Sequence, residues 1–235
     1  TTTLYSMLSS INKDDINILT AEDPVEYDLD GISQVQVREN IGLTFAAALR
    51  SFLRQDPEVI LVGEIRDQET ANIAIKASLT GHLVLSTLHT NDAPSTVTRL
   101  ADMGVPNYLL GTAIKIIIAQ RLVRKLCDCK VLLDDKLKKT IDCKAWNINS
   151  SQLKKIYMPK GCSKCDQTGY KGRMSIFEIL PVDQNIRQLI SNNADQKTLE
   201  KEMTKLGQNT LAKSGILAML KGITSYSEVE RVLTT

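Results

Sequence analysis

Apolar and polar positions follow two rhythms along this chain. Short, fully apolar runs bounded by turn residues have the form of buried parallel strands. The clearest is Val59-Ile60-Leu61-Val62, which stops at Gly63-Glu64. Ile16 to Thr20 reads as a short, mostly apolar strand, ended by Asp23-Pro24, since proline fixes φ and lacks a ladder donor. Gly31 to Val37 alternates apolar and polar residues, as a half-exposed strand does, and His82 to Leu88 reads as a further strand. Between these runs the apolar spacing is helical: Thr1 to Ser10, Thr44 to Gln55 with Thr44 as N-cap, Glu69 to Leu79 closed by Thr80-Gly81, and about Ala93 to Met103. Strands alternating with helices predict an α/β fold with a mostly parallel sheet. After Gln120 the rhythm breaks. A basic stretch, RLVRKLCDCK, leads into a polar, lysine-rich segment from Leu132 to Tyr157, then GCSKC and TGYKGR. From Ile186 onward the spacing is helical again.

Ligands bind beyond the C-terminal strand ends in open α/β sheets, and the acids collect there. Glu64 follows one strand; Glu22, Asp23 and Glu26 follow another. A single such acid reads as a solvated loop charge. Four at two strand ends point to a nucleotide site, where carboxylates hold Mg²⁺ and orient or deprotonate water. His82 and His89 flank one strand, and seven residues apart they make a poor metal pair. His89 is a candidate γ-phosphate sensor or a structural hydrogen-bond partner. Arg50 and Arg54 share a helix face. With Arg66 and Arg99 they are either surface charges or groups that neutralise a transferring phosphate, from within or from a neighbouring subunit. Thr1-Thr2-Thr3 fits a plain helix N-cap, or the last position of a G-x-x-x-x-G-K-[ST] phosphate loop, whose hydroxyl binds Mg²⁺.

Composition adds limits. The 235 residues suffice for one large domain or a core with smaller modules. A net charge of +2, without a basic stripe interleaved with aromatics, argues against a nucleic-acid partner. No apolar run approaches the roughly 20 residues that span a bilayer, and no signal peptide is visible. The chain opens on threonine without Met and is read as a fragment. Five cysteines, four of them in two close pairs, suit a cytosolic metal site better than disulfides. Cys162 and Cys165 have zinc-ligand spacing; Cys127 and Cys129 are one residue closer. A Cys₄ zinc site is expected, with Cys143 as a substitute ligand should the tight pair not bind through both sulfurs.

Taken together, these motifs resemble the hexameric secretion ATPases of type II secretion and type IV pilus assembly. AEDPVE (Ala21 to Glu26) resembles that family's Asp box, LVGEIRD (Leu61 to Asp67) its Walker B, and TGHLVLSTLHTNDA (Thr80 to Ala93) its His box. GLTFAAALRSFLRQDPEVI, AQRLVRKLC and GCSKCDQTGYKGR also match. The resemblance implies a RecA-like P-loop NTPase core (1–122), a small zinc module (123–175) and a helical C-terminal domain (176–235). It implies ATP, Mg²⁺ and Zn²⁺ as cofactors, a homo-hexamer, an inner-membrane platform as partner, and a cytoplasmic location at the inner membrane. Glu26 is then the base for water and Glu64 the Mg²⁺-side acid. Thr1 supplies the Mg²⁺-binding hydroxyl, and Glu22, Asp23, Thr2, His82, His89 and the four arginines surround the nucleotide. The cysteine pairs favour an assembly or secretion ATPase over the retraction motors. The alternative is a non-catalytic, zinc-stabilised assembly module.

Overall fold

The computed structural model describes residues 2–138, 141, 146, 148 and 150–234. In chain order, these form α1 (Thr2–Ile11), β1 (Ile18–Glu22), β2 (Ser33–Gln36), α2 (Phe45–Phe52), β3 (Val59–Val62), α3 (Gln68–Leu79), β4 (Leu83–Ser86), α4 (Ala93–Asp102) and α5 (Asn107–Ala113). There follow β5 (Ile116–Leu126), β6 (Val131–Leu132), α6 (Asp135–Lys138), β7 (Tyr157–Met158), β8 (Tyr170–Pro181), α7 (Gln184–Ser191), α8 (Gln196–Lys205), α9 (Leu211–Leu220) and α10 (Tyr226–Thr234). The chain divides into two compact units, one of residues 1–90, 94–115 and 182–199, the other of 91–93, 116–181 and 200–235.

The first unit holds a four-stranded parallel sheet in the order β2-β1-β3-β4. β1 and β3 lie in its centre and are buried along their whole length, which is why β3 reads as an unbroken apolar run and β1 as a mostly apolar one that also buries Thr20 and Glu22. Successive strand side chains face opposite ways. Ile18, Val59 and Leu61 pack with Tyr5 and Leu8 of α1. α2 packs on β1 and β3 as well as on α3 and buries Phe45, Ala46, Ala48, Leu49 and Phe52. The expected cap is present: Thr44 Oγ1 accepts from Ala47 N–H at 3.2 Å. Asp67 caps α3 in the same way, at 2.8 Å from Thr70 N.

β4 is shorter than the His82 to Leu88 run. The His82 backbone N–H bonds to the Ala77 carbonyl, as its ring Nδ1 does at 3.0 Å, so His82 closes α3 instead of opening the strand.

The second unit is built on a long antiparallel ribbon of β5 and β8. Its register runs from Ile116 opposite Pro181 to Arg124 opposite Arg173, with an irregularity before Leu126 opposite Tyr170. α9 and α10 pack on this ribbon. A further apolar core joins Leu133, Leu153 and Ile156 to Ile216 and Met219 of α9 and Val229 of α10. Among the described residues no helix is long and apolar enough to cross a membrane.

Candidate functional site

An open cleft of about 350 Å³ lies at the C-terminal ends of β1, β3 and β4. Glu22, Asp23, Glu26, Glu64 and His89 all line it, together with Leu4, Tyr5 and Phe45. The strand ends are tied closely. Gly63 N–H bonds to the Ala21 carbonyl at 2.8 Å, and the Thr87 hydroxyl donates to the Gly63 carbonyl at 2.6 Å. A Cβ on Gly63 would sit 3.2 Å from that Ala21 oxygen, so glycine permits the close approach that aims Glu64 into the cleft.

The Glu64 carboxylate is held from both sides. Arg66 donates to one oxygen, and His89 Nε2 lies 2.9 Å from the other. The Arg66 hydrogen bond is the chief reason its pKa falls below the usual carboxylate range; burial opposes the shift and His89 adds to it. Arg66 also lies 3.5 Å from Asp23, bridging acids of two strand ends. A carboxylate held this firmly ionised makes a weak general base and a good partner for a cation.

Glu22 is placed differently. It is buried, and its oxygens accept from the Tyr5 hydroxyl, from Thr20 Oγ1 at 2.5 Å and from Gln34 Nε2 at 3.0 Å. Its acceptor capacity is largely occupied by the protein itself. Glu26 is exposed at the cleft, with its backbone N–H 3.2 Å from the Tyr5 hydroxyl. Burial, followed by the bond to Glu22, raises the Tyr5 pKa to about 12, so the phenol keeps its proton.

Of the other expected residues, Arg50, Arg54, Arg99 and His82 are not brought to this cleft. Arg50 pairs with Glu69, and Arg54 donates to the Arg50 carbonyl at 2.9 Å. Arg99 occupies the last turn of α4. His82 sits at the opposite end of β4 from His89. Thr2 is exposed in the first turn of α1. Thr1 and Cys143 lie outside the described residues. Sequence reasoning passed over Tyr5, Gln34 and Thr87. Tyr5 carries the one usable signal, an aromatic with a polar tip on the buried face of a helix.

The cysteines form a second site. The Sγ atoms of Cys127, Cys129, Cys162 and Cys165 lie within 4.8 Å of one another. Three of the separations are 3.9, 3.9 and 3.7 Å. Four sulfurs at about 2.3 Å from a zinc ion stand about 3.8 Å apart in a tetrahedron, so the donor set fits that ion. The Cys-x-Cys pair contributes both sulfurs, because the chain turns through Asp128 and Cys129, with Lys130 N–H bonded to the Cys127 carbonyl. Cys165 accepts N–H bonds from Cys162 at 3.3 Å and Gly169 at 3.2 Å. Burial pushes its thiol up, yet those N–H groups prevail and hold the pKa at about 7.

These sites can be set beside known proteins. Residues 1–231 match the family T2SSE, Type II/IV secretion system protein. The chain is 49% identical to the type IV pilus assembly ATPase PilB of Myxococcus xanthus, over 97% of this chain and 41% of that protein. It is 48% identical to the putative type II secretion system protein E of Escherichia coli K12, over 98% and 46%. It is 47% identical to the type II secretion system ATPase E of Vibrio cholerae, over 98% and 45%. The chain therefore spans less than half the length of these relatives. Among solved structures it resembles the pilus retraction motor PilT with bound ADP, with a TM-score of 0.70 and 29% identity over 98% of this chain and 56% of that one. The ATPase DotB of Legionella pneumophila shares the fold, with a TM-score of 0.67 at 21% identity, over 98% and 56%. With nearly its whole length matched by one family and by long stretches of these relatives, this chain belongs to the type II/IV secretion system protein family.

Proposed function

We propose that this chain is the C-terminal motor region of an ATPase that powers type II protein secretion or type IV pilus assembly. The observation that carries this reading is the convergence of Asp23, Glu26, Glu64 and His89 on one cleft at the ends of parallel strands. The relatives named as ATPases, and the ADP bound to the PilT motor, support the choice of nucleotide. In this reading the segments 1–122, 123–175 and 176–235 act as RecA-like core, zinc module and helical region of a ring of six. The ring works from the cytoplasm on a platform in the inner membrane.

Within the cleft, Glu64 stays ionised beside Arg66 and takes the Mg²⁺ side, with Thr1 as the hydroxyl ligand. Bound Mg²⁺ neutralises charge on the phosphates. Glu26, exposed at the cleft, accepts the proton of the attacking water. His89 hydrogen-bonds to Glu64 and reports the phosphate to β4. Arg50, Arg54 and Arg99, which lie away from this cleft, are offered to a neighbouring subunit's nucleotide. Four sulfurs at zinc spacing support a structural role for Zn²⁺ in the middle segment.

Steady-state ATP turnover by the full-length protein and its Glu64→Gln variant tests the reading. Turnover that falls at least about 100-fold in the variant is expected from losing a cation-side carboxylate. Equal rates would remove Glu64 from the mechanism. No turnover in either protein would favour the non-catalytic assembly module.

A further inference from the structure

The phenol of Tyr5 is almost fully buried, at 1% exposure, on the sheet-facing side of α1. It stands between two acids with different fates. It donates to Glu22, whose carboxylate is also held by Thr20 and Gln34. It accepts from the backbone N–H of Glu26 at 3.2 Å. Its ring meets that of Tyr27 edge to face, with centroids 4.7 Å apart. The loop that bears Glu26 is therefore fastened, at Glu26 itself and at the residue after it, to one side chain of α1.

We propose that Tyr5 is a positioning residue for Glu26, with Glu22 as the buried acceptor that fixes the phenol's orientation. The inference rests on the reading of Glu26 as the base for water. A loop carboxylate that must meet a water bound to one face of a phosphate has to be held in direction as well as in place, and a misplacement of about 1 Å costs as much as about 100-fold in rate. The hydrogen bond does this through the backbone and leaves the Glu26 carboxylate open to the cleft. It also explains why Glu22, though it lines the cleft, is directed at protein donors. A buried acceptor with matched donors orders its neighbours. A proton held by the phenol throughout the working pH range keeps the donor direction constant, from Tyr5 to Glu22.

The test uses the full-length protein and three variants: Tyr5→Phe, Glu26→Gln and the double variant. Phenylalanine keeps the ring and its packing and removes only the hydroxyl. Tyr5→Phe is expected to lower kcat for ATP by about tenfold or more, with KM and the dissociation constant for ADP unchanged. In the Glu26→Gln background the same change is expected to have no further effect, because it acts through that carboxylate. If Glu26→Gln leaves kcat intact, the reading of Glu26 fails. If Glu26→Gln abolishes turnover but Tyr5→Phe matches the wild type, only the present inference fails. A loss of kcat that recurs in full in the Glu26→Gln background also overturns it. Hydrogen exchange on the unaltered protein covers the case of a Tyr5→Phe chain that does not fold: the Glu26 amide is expected to be protected, and free exchange there contradicts the proposal.

Discussion

Replacing Glu228 by glutamine removes a negative charge from a side chain with none of its surface exposed. That carboxylate accepts from the Arg124 backbone N–H at 2.9 Å and from its guanidinium at 2.9 and 2.7 Å, and from Arg231 at 3.0 and 2.8 Å. Burial pushes its pKa up, but the Arg231 and Arg124 bonds outweigh burial and hold it at about 2, against the ordinary 4.5. Each tenfold change in proton affinity is about 1.4 kcal/mol, so a fall of this size corresponds to about 3 kcal/mol of stability at neutral pH. The two arginine side chains are 47% and 55% exposed, and solvent screening reduces the figure to about 2 kcal/mol. The folded pKa is the lower one. The stabilisation is therefore complete above the unfolded value of 4.5 and disappears as pH falls through about 2. Glu228→Gln is expected to be about 2 kcal/mol less stable than the wild type at pH 7, with the gap narrowing by about pH 3. Urea denaturation followed by Trp146 fluorescence measures it. This is the chain's single tryptophan, with its ring centroid 4.8 Å from that of Tyr226 on α10, the helix that carries Glu228. Comparing the two proteins at each pH cancels the effect of acid on the thiols. Equal stability at pH 7, or a deficit as large at pH 3, would refute the reasoning.

Two further outcomes follow from packing and metal geometry. A Cβ on Gly111 of α5 would lie 2.6 Å from Ser191 Oγ and 2.7 Å from the Arg187 carbonyl of α7. Gly111→Ala should therefore force the helices apart and cost about 1–3 kcal/mol, read as a lower thermal midpoint; an unchanged midpoint contradicts this contact. Metal analysis of the native protein should find about one zinc per chain, lost in Cys129→Ser; a zinc-free native protein rules the tetracysteine site out.

The parallel sheet was legible where burial was complete. Val59–Val62 reads as a strand because both its faces are covered, and Thr44 reads as a cap because its hydroxyl has a single local task. The β5-β8 ribbon was not legible. Its inward positions, among them Ile117, Ala119 and Val123, do alternate, but Arg121, Arg124 and Lys125 interrupt the pattern, so the stretch reads only as basic. The opposite strand carries Lys171 and Arg173 and begins within turn residues. The acids of the cleft could be named from strand ends alone. Their division of labour could not, because it depends on long-range partners: Tyr5 and Gln34 for Glu22, Arg66 and His89 for Glu64. Arginine placement was the least legible, since helical spacing gives Arg50 and Arg54 a shared face without saying what that face meets.

The central claim is that this cleft turns over ATP with Glu26 as the base. Single turnover of radiolabelled ATP by the full-length protein and its Glu26→Gln variant tests it most directly. The account predicts that the variant binds ATP as the wild type does and returns it intact, with hydrolysis at least about 100-fold slower. Hydrolysis of bound ATP at the wild-type rate would contradict it.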